Sequence, residues 1–211
     1  VGRNTTVDFQ QQSNWALLNK VNDPNGRPSE IQGQIKGAGT VMIMNRNGVI
    51  FTGTSQVNVR NLVAAAATIS DEQFTKQGLY VDANGTQPTF TDAAGKVMVE
   101  RGALIQTHAP ATSTQGGGYT LLLGHEVENA GRLINPKGQA TLAGGDTFYI
   151  RKGVGTAGNA YSTTRGNEVA TRLNAGSSAG TVINSGLIQA SQGDITLTGH
   201  QVRQQGVAVA T

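Results

Sequence analysis

The 211-residue chain has no cysteine, so no disulfide can staple it. For an exported β-protein, stability must then come from hydrogen-bonded strands and a stacked core. The absence also suits a chain that crosses a membrane pore unfolded. Charge is scarce too, at 14% of residues, and aromatics are only 5%. With 29 glycines, that composition excludes a helical bundle, and the lack of a strict Gly-x-x period excludes collagen. Many short β-branched runs argue against simple disorder. No apolar run approaches the ~20 residues of a membrane helix, so the chain is not read as membrane-embedded. It opens at Val1 without Met or a signal sequence, the pattern of a processed or excised fragment. Its net charge of +3 is scattered, Arg151-Lys152 being the only adjacent basic pair. Specific nucleic-acid binders concentrate Lys and Arg on a face or in a run, so no nucleic-acid partner is expected.

What the chain has in abundance is short strands between Asn/Gly corners. In Thr40-Val41-Met42-Ile43-Met44-Asn45-Arg46-Asn47-Gly48-Val49-Ile50-Phe51, one apolar strand enters Asn-x-Asn-Gly and another leaves it. Alone this reads as a hairpin, since Asn and Gly tolerate the positive backbone angles of a tight corner. The same grammar recurs, however. Asn129 to Gly144 lies on Asn184 to Gly199 without a gap, with Asn, three Gly, Thr and Leu coinciding.

One such unit cannot bury its apolar face alone, so copies must stack. The expected fold is all-β, a right-handed parallel β-helix (solenoid) with extra-helical β-hairpin excursions. Corner spacing gives ~20–25 residues per coil, and roughly eight or nine coils at ~4.8 Å would make a rod on the order of 40 Å long. Inward Val, Ile and Leu would form ladders, and corner Asn would bond between coils. A β-sandwich is the alternative arrangement.

Other segments are placed accordingly. Leu62-Val63-Ala64-Ala65-Ala66-Ala67 reads as strand or tight turn, with a single helical turn as competitor. Asp71 to Lys96 reads as a hairpin excursion with turns at Asp82–Gly85 and Asp92–Gly95. Tyr119-Thr120-Leu121-Leu122-Leu123 is a buried strand. The polar stretch 153–180 is a second insertion. Residues 1–150 and 151–211 are taken as two successive parts of one β-helix. Trp15 is assigned to the core or its margin.

Few groups suggest chemistry. His108, His125 and His200 lack any close ligand spacing, so neither a metal nor a cofactor is expected. A β-helical carbohydrate-active enzyme needs convergent carboxylates. The sequence offers only the adjacent pair Asp71-Glu72 and the alternating pair Glu126 and Glu128. No Gly-x-Ser-x-Gly nucleophile turn is present, and Gly116-Gly117-Gly118 leads into a strand rather than a helix. The chain is therefore read as not an enzyme, with that class kept as an alternative.

Taken in order, the segments resemble the N-terminal secretion domain of two-partner secretion exoproteins, the filamentous haemagglutinin-like family. The resemblance is carried by Ala16-Leu17-Leu18-Asn19-Lys20-Val21, Ile31-Gln32-Gly33-Gln34-Ile35 and Asn45 to Phe51. Val57 to Ala64, Ile69 to Phe74, Gly117 to Gly124 and Ala143-Gly144-Gly145-Asp146 continue it. It runs from about Gly2 to about Tyr149, with generic β-helix beyond. Arg46 stands where the family has Pro in Asn-Pro-Asn-Gly. The family's Asn-Pro-Asn-Leu has no clear equivalent, Asp23-Pro24-Asn25-Gly26 being a loose echo. The family's capping strands look truncated ahead of Val1.

The resemblance implies export through the periplasm of a Gram-negative bacterium to its surface or medium. It implies recognition by an outer-membrane β-barrel two-partner secretion transporter, with Asn45, Arg46, Asn47, Gly48, Val49, Ile50 and Phe51 as the secretion motif. The parent protein would be a large adhesin, haemagglutinin, cytolysin or inhibition toxin. A host-glycan or receptor-binding adhesin module is the other open reading.

Overall fold

The computed structural model describes residues 1–82, 84–113, 115–153 and 166–211. The N-terminal strands are β1 (Thr6–Phe9), β2 (Ala16–Val21), β3 (Ser29–Ile31), β4 (Gln34–Asn45), β5 (Gly48–Phe51) and β6 (Gln56–Ala65). One helix, α1 (Asp71–Gln77), precedes β7 (Lys96–Val99), β8 (Leu104–Thr107), β9 (Tyr119–Gly124), β10 (Glu126–Asn129), β11 (Arg132–Ile134) and β12 (Gln139–Gly144). The pair β13 (Thr147–Lys152) and β14 (Asn167–Arg172) follows. Last come β15 (Thr181–Asn184), β16 (Leu187–Gln189), β17 (Asp194–Thr198), β18 (Gln201–Gln204) and β19 (Val207–Val209).

Except for β13 and β14, these strands pair in parallel into three stacks. The first contains β1, the start of β4, the start of β6, β8, β11, β16 and β19. The second contains β2, the ends of β4 and β6, β9, β12 and β17. The third is β3, β5, β7, β10, β15 and β18. A register shift between Gly37 and Thr40 lets β4 bend from the first stack into the second. The chain is thus the expected parallel β-helix. The gapless repeat is literal, because Asn129 pairs with Asn184, Arg132 with Leu187 and Gln139 with Asp194.

Coil length falls at the short end of the expected range. Ser29 pairs with Val49 and Thr181 with Gln201, each twenty residues on. The coil count is lower than expected. The first stack has seven strands and the third six, not eight or nine, so the rod is on the order of 30 Å long. Two excursions absorb the difference, one between Ala66 and Gly95 and one beginning at Gly145.

Those excursions explain a contrast within the sequence. Where a stack faces outward its strands alternate, as in Gln56-Val57-Asn58-Val59, whose burial alternates likewise. In the middle of the second stack, the ends of β4 and β6, β9 and β12 are covered on both sides, and β4 and β9 there are continuously apolar. In β4, Val41 and Ile43 enter the inner column with Val49, Phe51, Val97, Leu122 and Leu142. Met42 and Met44 point the other way, into a second cluster with Val63, Leu121, Leu123, Phe90, Phe148 and Ile150. The alanine run is strand through Ala65, buried on both faces where only small side chains fit.

Three expectations need correction. Asp71 to Lys96 is no hairpin: Ser70 caps α1 by accepting from the Gln73 N–H at 3.0 Å, and Gly78 ends the helix with φ 62°. Trp15 is 52% exposed, because it lies in the turn before β2, which among the described strands pairs on one side only, with β4. Asn ladders exist, but not at Asn45. Asn129 Nδ2 donates to Asn184 Oδ1 at 2.7 Å, and Asn184 Nδ2 to Gln204 Oε1 at 2.9 Å. Of the insertion read at 153–180, residues 154–165 lie outside the described residues; β14 pairs antiparallel with β13.

Replacing Asn184 with Ala leaves the buried Asn129 amide only its long, 3.5 Å bond to the Leu187 carbonyl. The expected loss is about 1–3 kcal/mol, read as a lower urea midpoint. Gln204→Ala removes the acceptor of the Asn184 amide at the exposed end of the same ladder, where water can replace it, and should cost less, about 1 kcal/mol or below.

Candidate functional site

At Asn45 the chain must leave the second stack and enter the third within two residues. Asn45 is buried, and its Oδ1 accepts from the Asn47 N–H at 3.0 Å, which folds the backbone back on itself. Its Nδ2 donates to the Arg27 carbonyl and to Ser29 Oγ, both at 3.0 Å. Asn47 Nδ2 donates to the Asp23 carbonyl at 3.2 Å. The two amides therefore bind the loop of the preceding coil rather than other Asn side chains. Gly48 adopts φ 132°, and a Cβ there would sit 2.9 Å from the Lys96 carbonyl oxygen of the next coil. Glycine is required on both counts.

The seven motif residues divide by exposure. Asn45, Gly48, Val49 and Phe51 are buried, whereas Asn47 and Ile50 are partly exposed and Arg46 is exposed. Arg46 Nε donates to the Asp92 carbonyl at 3.1 Å, tying the corner to the first excursion. Arg46 also borders a half-open groove of about 690 Å³ whose floor includes Met44, Ala67 and Val21 and whose rim carries Lys20 and Asp92. On the rim, Lys20 Nζ meets Asp71 Oδ1 at 3.0 Å.

Charges around the corner are mutually satisfied. Asp23 accepts from the Asn25 N–H at 2.7 Å and from Arg27 Nε at 3.0 Å; the Asn25 bond and then Arg27 hold its carboxyl below the usual range. Lys96, paired with Gly48, reaches Glu126 at 3.0 Å and Glu128 at 2.5 Å. Burial pulls its pKa down, but the two carboxylates outweigh burial and the net direction is up. The alternating pair Glu126 and Glu128 is thus bound to one ammonium. Asp71 and Glu72 open α1, with Glu72 paired to Lys76 at 2.7 Å. Among the described residues, no three His, Cys, Asp or Glu groups come together as a metal site would need. Nor does any described helix have the length and apolarity to cross a membrane.

Three elements escaped the sequence reading. Asn135 fills the corner between the first and second stacks, its Nδ2 donating to Thr107 Oγ1 at 3.1 Å and Thr120 Oγ1 at 2.9 Å. Its signal was Asn135-Pro136-Lys137-Gly138, a second Asn-x-x-Gly corner. Asp146 is buried and holds the 174–177 turn through the Asn174 N–H at 2.7 Å and Ser177 Oγ at 3.0 Å. Asp23 braces the loop that Asn45 and Asn47 grip.

Gly48→Ala should cost about 1–3 kcal/mol in a denaturation midpoint, from strain and the contact with Lys96. A second expectation concerns pH. Burial, then the Arg60 charge, lowers the His108 pKa from 6.5. A depressed histidine pKa gives stability that is full above about 6.5 and declines as pH falls toward the folded value. His108→Gln should therefore shrink the difference between urea midpoints at neutral and acid pH.

Comparison with known proteins agrees with this geometry. The family described as TPS secretion domain matches residues 1–209. A heme/hemopexin-binding protein of Haemophilus influenzae (strain ATCC 51907 / DSM 11121 / KW20 / Rd) is 28% identical over 199 residues, 93% of this chain. The chain spans 19% of that protein's length. The crystal structure of the HMW1 secretion domain from Haemophilus influenzae superposes with a TM-score of 0.70 at 20% identity. That match covers 99% of this chain and 47% of the other, and it shows a shared fold. With its profile matched over nearly all its length, the chain belongs to the TPS (two-partner secretion) secretion-domain family.

Proposed function

We propose that this chain directs the export of a large exoprotein through an outer-membrane β-barrel transporter, and that Asn45 to Phe51 is part of what the transporter recognises. The observation that carries the first half is the family match over residues 1–209. The parent protein is inferred to be a surface-exposed or secreted adhesin of the haemagglutinin-like kind. A non-enzymatic role is supported by the state of Glu126 and Glu128, both engaged by Lys96.

The burial pattern of the corner bears on how recognition works. Val49 and Phe51 are inside the folded coil, so a partner that reads them must meet the chain before it folds. In that state the alternating strand can add to a sheet edge, with backbone bonds supplying affinity and alternate side chains selectivity. On the folded domain the partner could touch only Arg46, Asn47 and Ile50. The corner's two contributions are therefore separable by mutation.

A signal-bearing version should reach the medium only when its cognate transporter is co-expressed; equal release without it would refute the proposal. Arg46→Ala should leave the urea midpoint within about 0.5 kcal/mol, being an exposed side chain. If the corner is recognised, the same change should lower export several-fold. Asn45→Ala should lower both, because it removes the buried amide that bonds the Arg27 carbonyl, Ser29 Oγ and the Asn47 N–H. Export that follows stability alone across the two variants would assign the corner a purely structural role.

A further inference from the structure

The excursion between Ala66 and Gly95 is built in two parts. At its base, the Ala66 N–H donates to the Leu123 carbonyl at 2.8 Å and the Ala94 N–H to the Ala66 carbonyl at 3.2 Å. Thr68 and Thr91 close that base as an antiparallel bridge, with bonds of 2.8 and 2.9 Å. Beyond the base, local bonds hold α1 and the Asp82–Thr86 turn. Among the described residues, apart from the Thr68–Thr91 bridge and the bond from Arg46 to the Asp92 carbonyl, the bonds to the backbone of residues 81–93 from outside the excursion run elsewhere. They go to the segment Asp146–Ile150, more than fifty residues downstream.

Those bonds form a continuous seam. The Val81 N–H donates to the Ile150 carbonyl at 2.9 Å, and the Thr89 N–H to the Phe148 carbonyl at 2.8 Å. Phe90 and Phe148 exchange bonds of 3.2 and 2.9 Å. The Ala93 N–H reaches the Asp146 carbonyl at 3.1 Å, and the Ile150 N–H reaches Thr89 Oγ1 at 3.3 Å. Phe90, Phe148 and Ile150 are all fully buried, together over Met42, Met44, Leu121 and Leu123. The inner column shares none of these residues.

We propose that the Ala66–Gly95 excursion is a strap that closes over the second stack only when Asp146–Ile150 arrives, so that the domain assembles in two separable steps. The coils form first around the inner column. The strap then locks, and its locking seals the outer apolar face that Met42, Met44, Leu121 and Leu123 present. Before that, the face is an open, Met- and Leu-rich surface on a helix whose coils are already stacked. The device goes beyond the export reading and does not rest on it, since both partners lie within this chain.

Hydrogen exchange on the whole chain tests this. In Phe148→Ala, the amides of Val81, Thr89, Phe90 and Ala93 should exchange at least about 100-fold faster than in the parent. The amides of Val127, Leu133 and Val182 in the coils should change by less than about threefold. Trypsin cleavage at the exposed Lys76 should accelerate in parallel. Thr89→Val removes only the acceptor of the Ile150 N–H, and should give the same pattern at smaller amplitude. Two results overturn the proposal. One is strap protection unchanged in Phe148→Ala. The other is strap and coil amides losing protection together, in either variant, which would make them a single cooperative unit.

Discussion

Everything in this domain depends on giving a partner to the polar groups trapped at the corners. A parallel coil turns three times, and each turn brings backbone N–H and C=O groups in beside an apolar column. Left unpaired there, each would cost on the order of 1–3 kcal/mol. The three kinds of corner each use a buried asparagine: Asn45, Asn129 and Asn135. At Asn45 and Asn129 the side-chain oxygen accepts from the backbone two residues on, while the amide reaches toward another coil. A carboxylate could accept but could not donate onward, and an aliphatic side chain could do neither. With no disulfide available, these amides and the parallel ladders hold the coils in register.

That constraint also accounts for the geometry of the Asn45 to Phe51 segment. A corner whose amides grip the preceding loop must be correct for the first coils to stack. The Asn45 amide and the Gly48 backbone serve the coil, whereas Arg46 and Ile50 face outward. Arg46, which replaces the family's Pro, gives up a preset backbone angle. In return its guanidinium bonds the Asp92 carbonyl, so the corner is tied to the first excursion by a side chain.

The parts of the fold that could be read from sequence are those fixed by neighbours along the chain. Alternation in Gln56-Val57-Asn58-Val59 and Glu126-Val127-Glu128-Asn129 marks strands with one wet face. The continuous apolar runs Val41 to Met44 and Leu121 to Leu123 mark strands buried twice. The error at Asp71 to Lys96 was avoidable, since Ser70-Asp71-Glu72-Gln73 is a helix-start signal and Gly78 a stop. Trp15 is exposed although its residue type suggests burial, because the strand it precedes, β2, pairs on one side only among the described strands. The coils are fewer than chain length and coil length together suggest, because two excursions spend residues outside the stacks.

By itself, the sequence determined that short strands and Asn/Gly corners must stack, which residues line the column, and which family the chain belongs to. Those properties are local, or repeat at a constant spacing, and so survive in one dimension. Only the tertiary structure decided what each corner amide binds, that Lys96 neutralises Glu126 and Glu128, and that Phe90 meets Phe148. These are pairings between residues tens of positions apart. They are set by the register of stacked coils and the path of two excursions, neither of which any short stretch of sequence encodes.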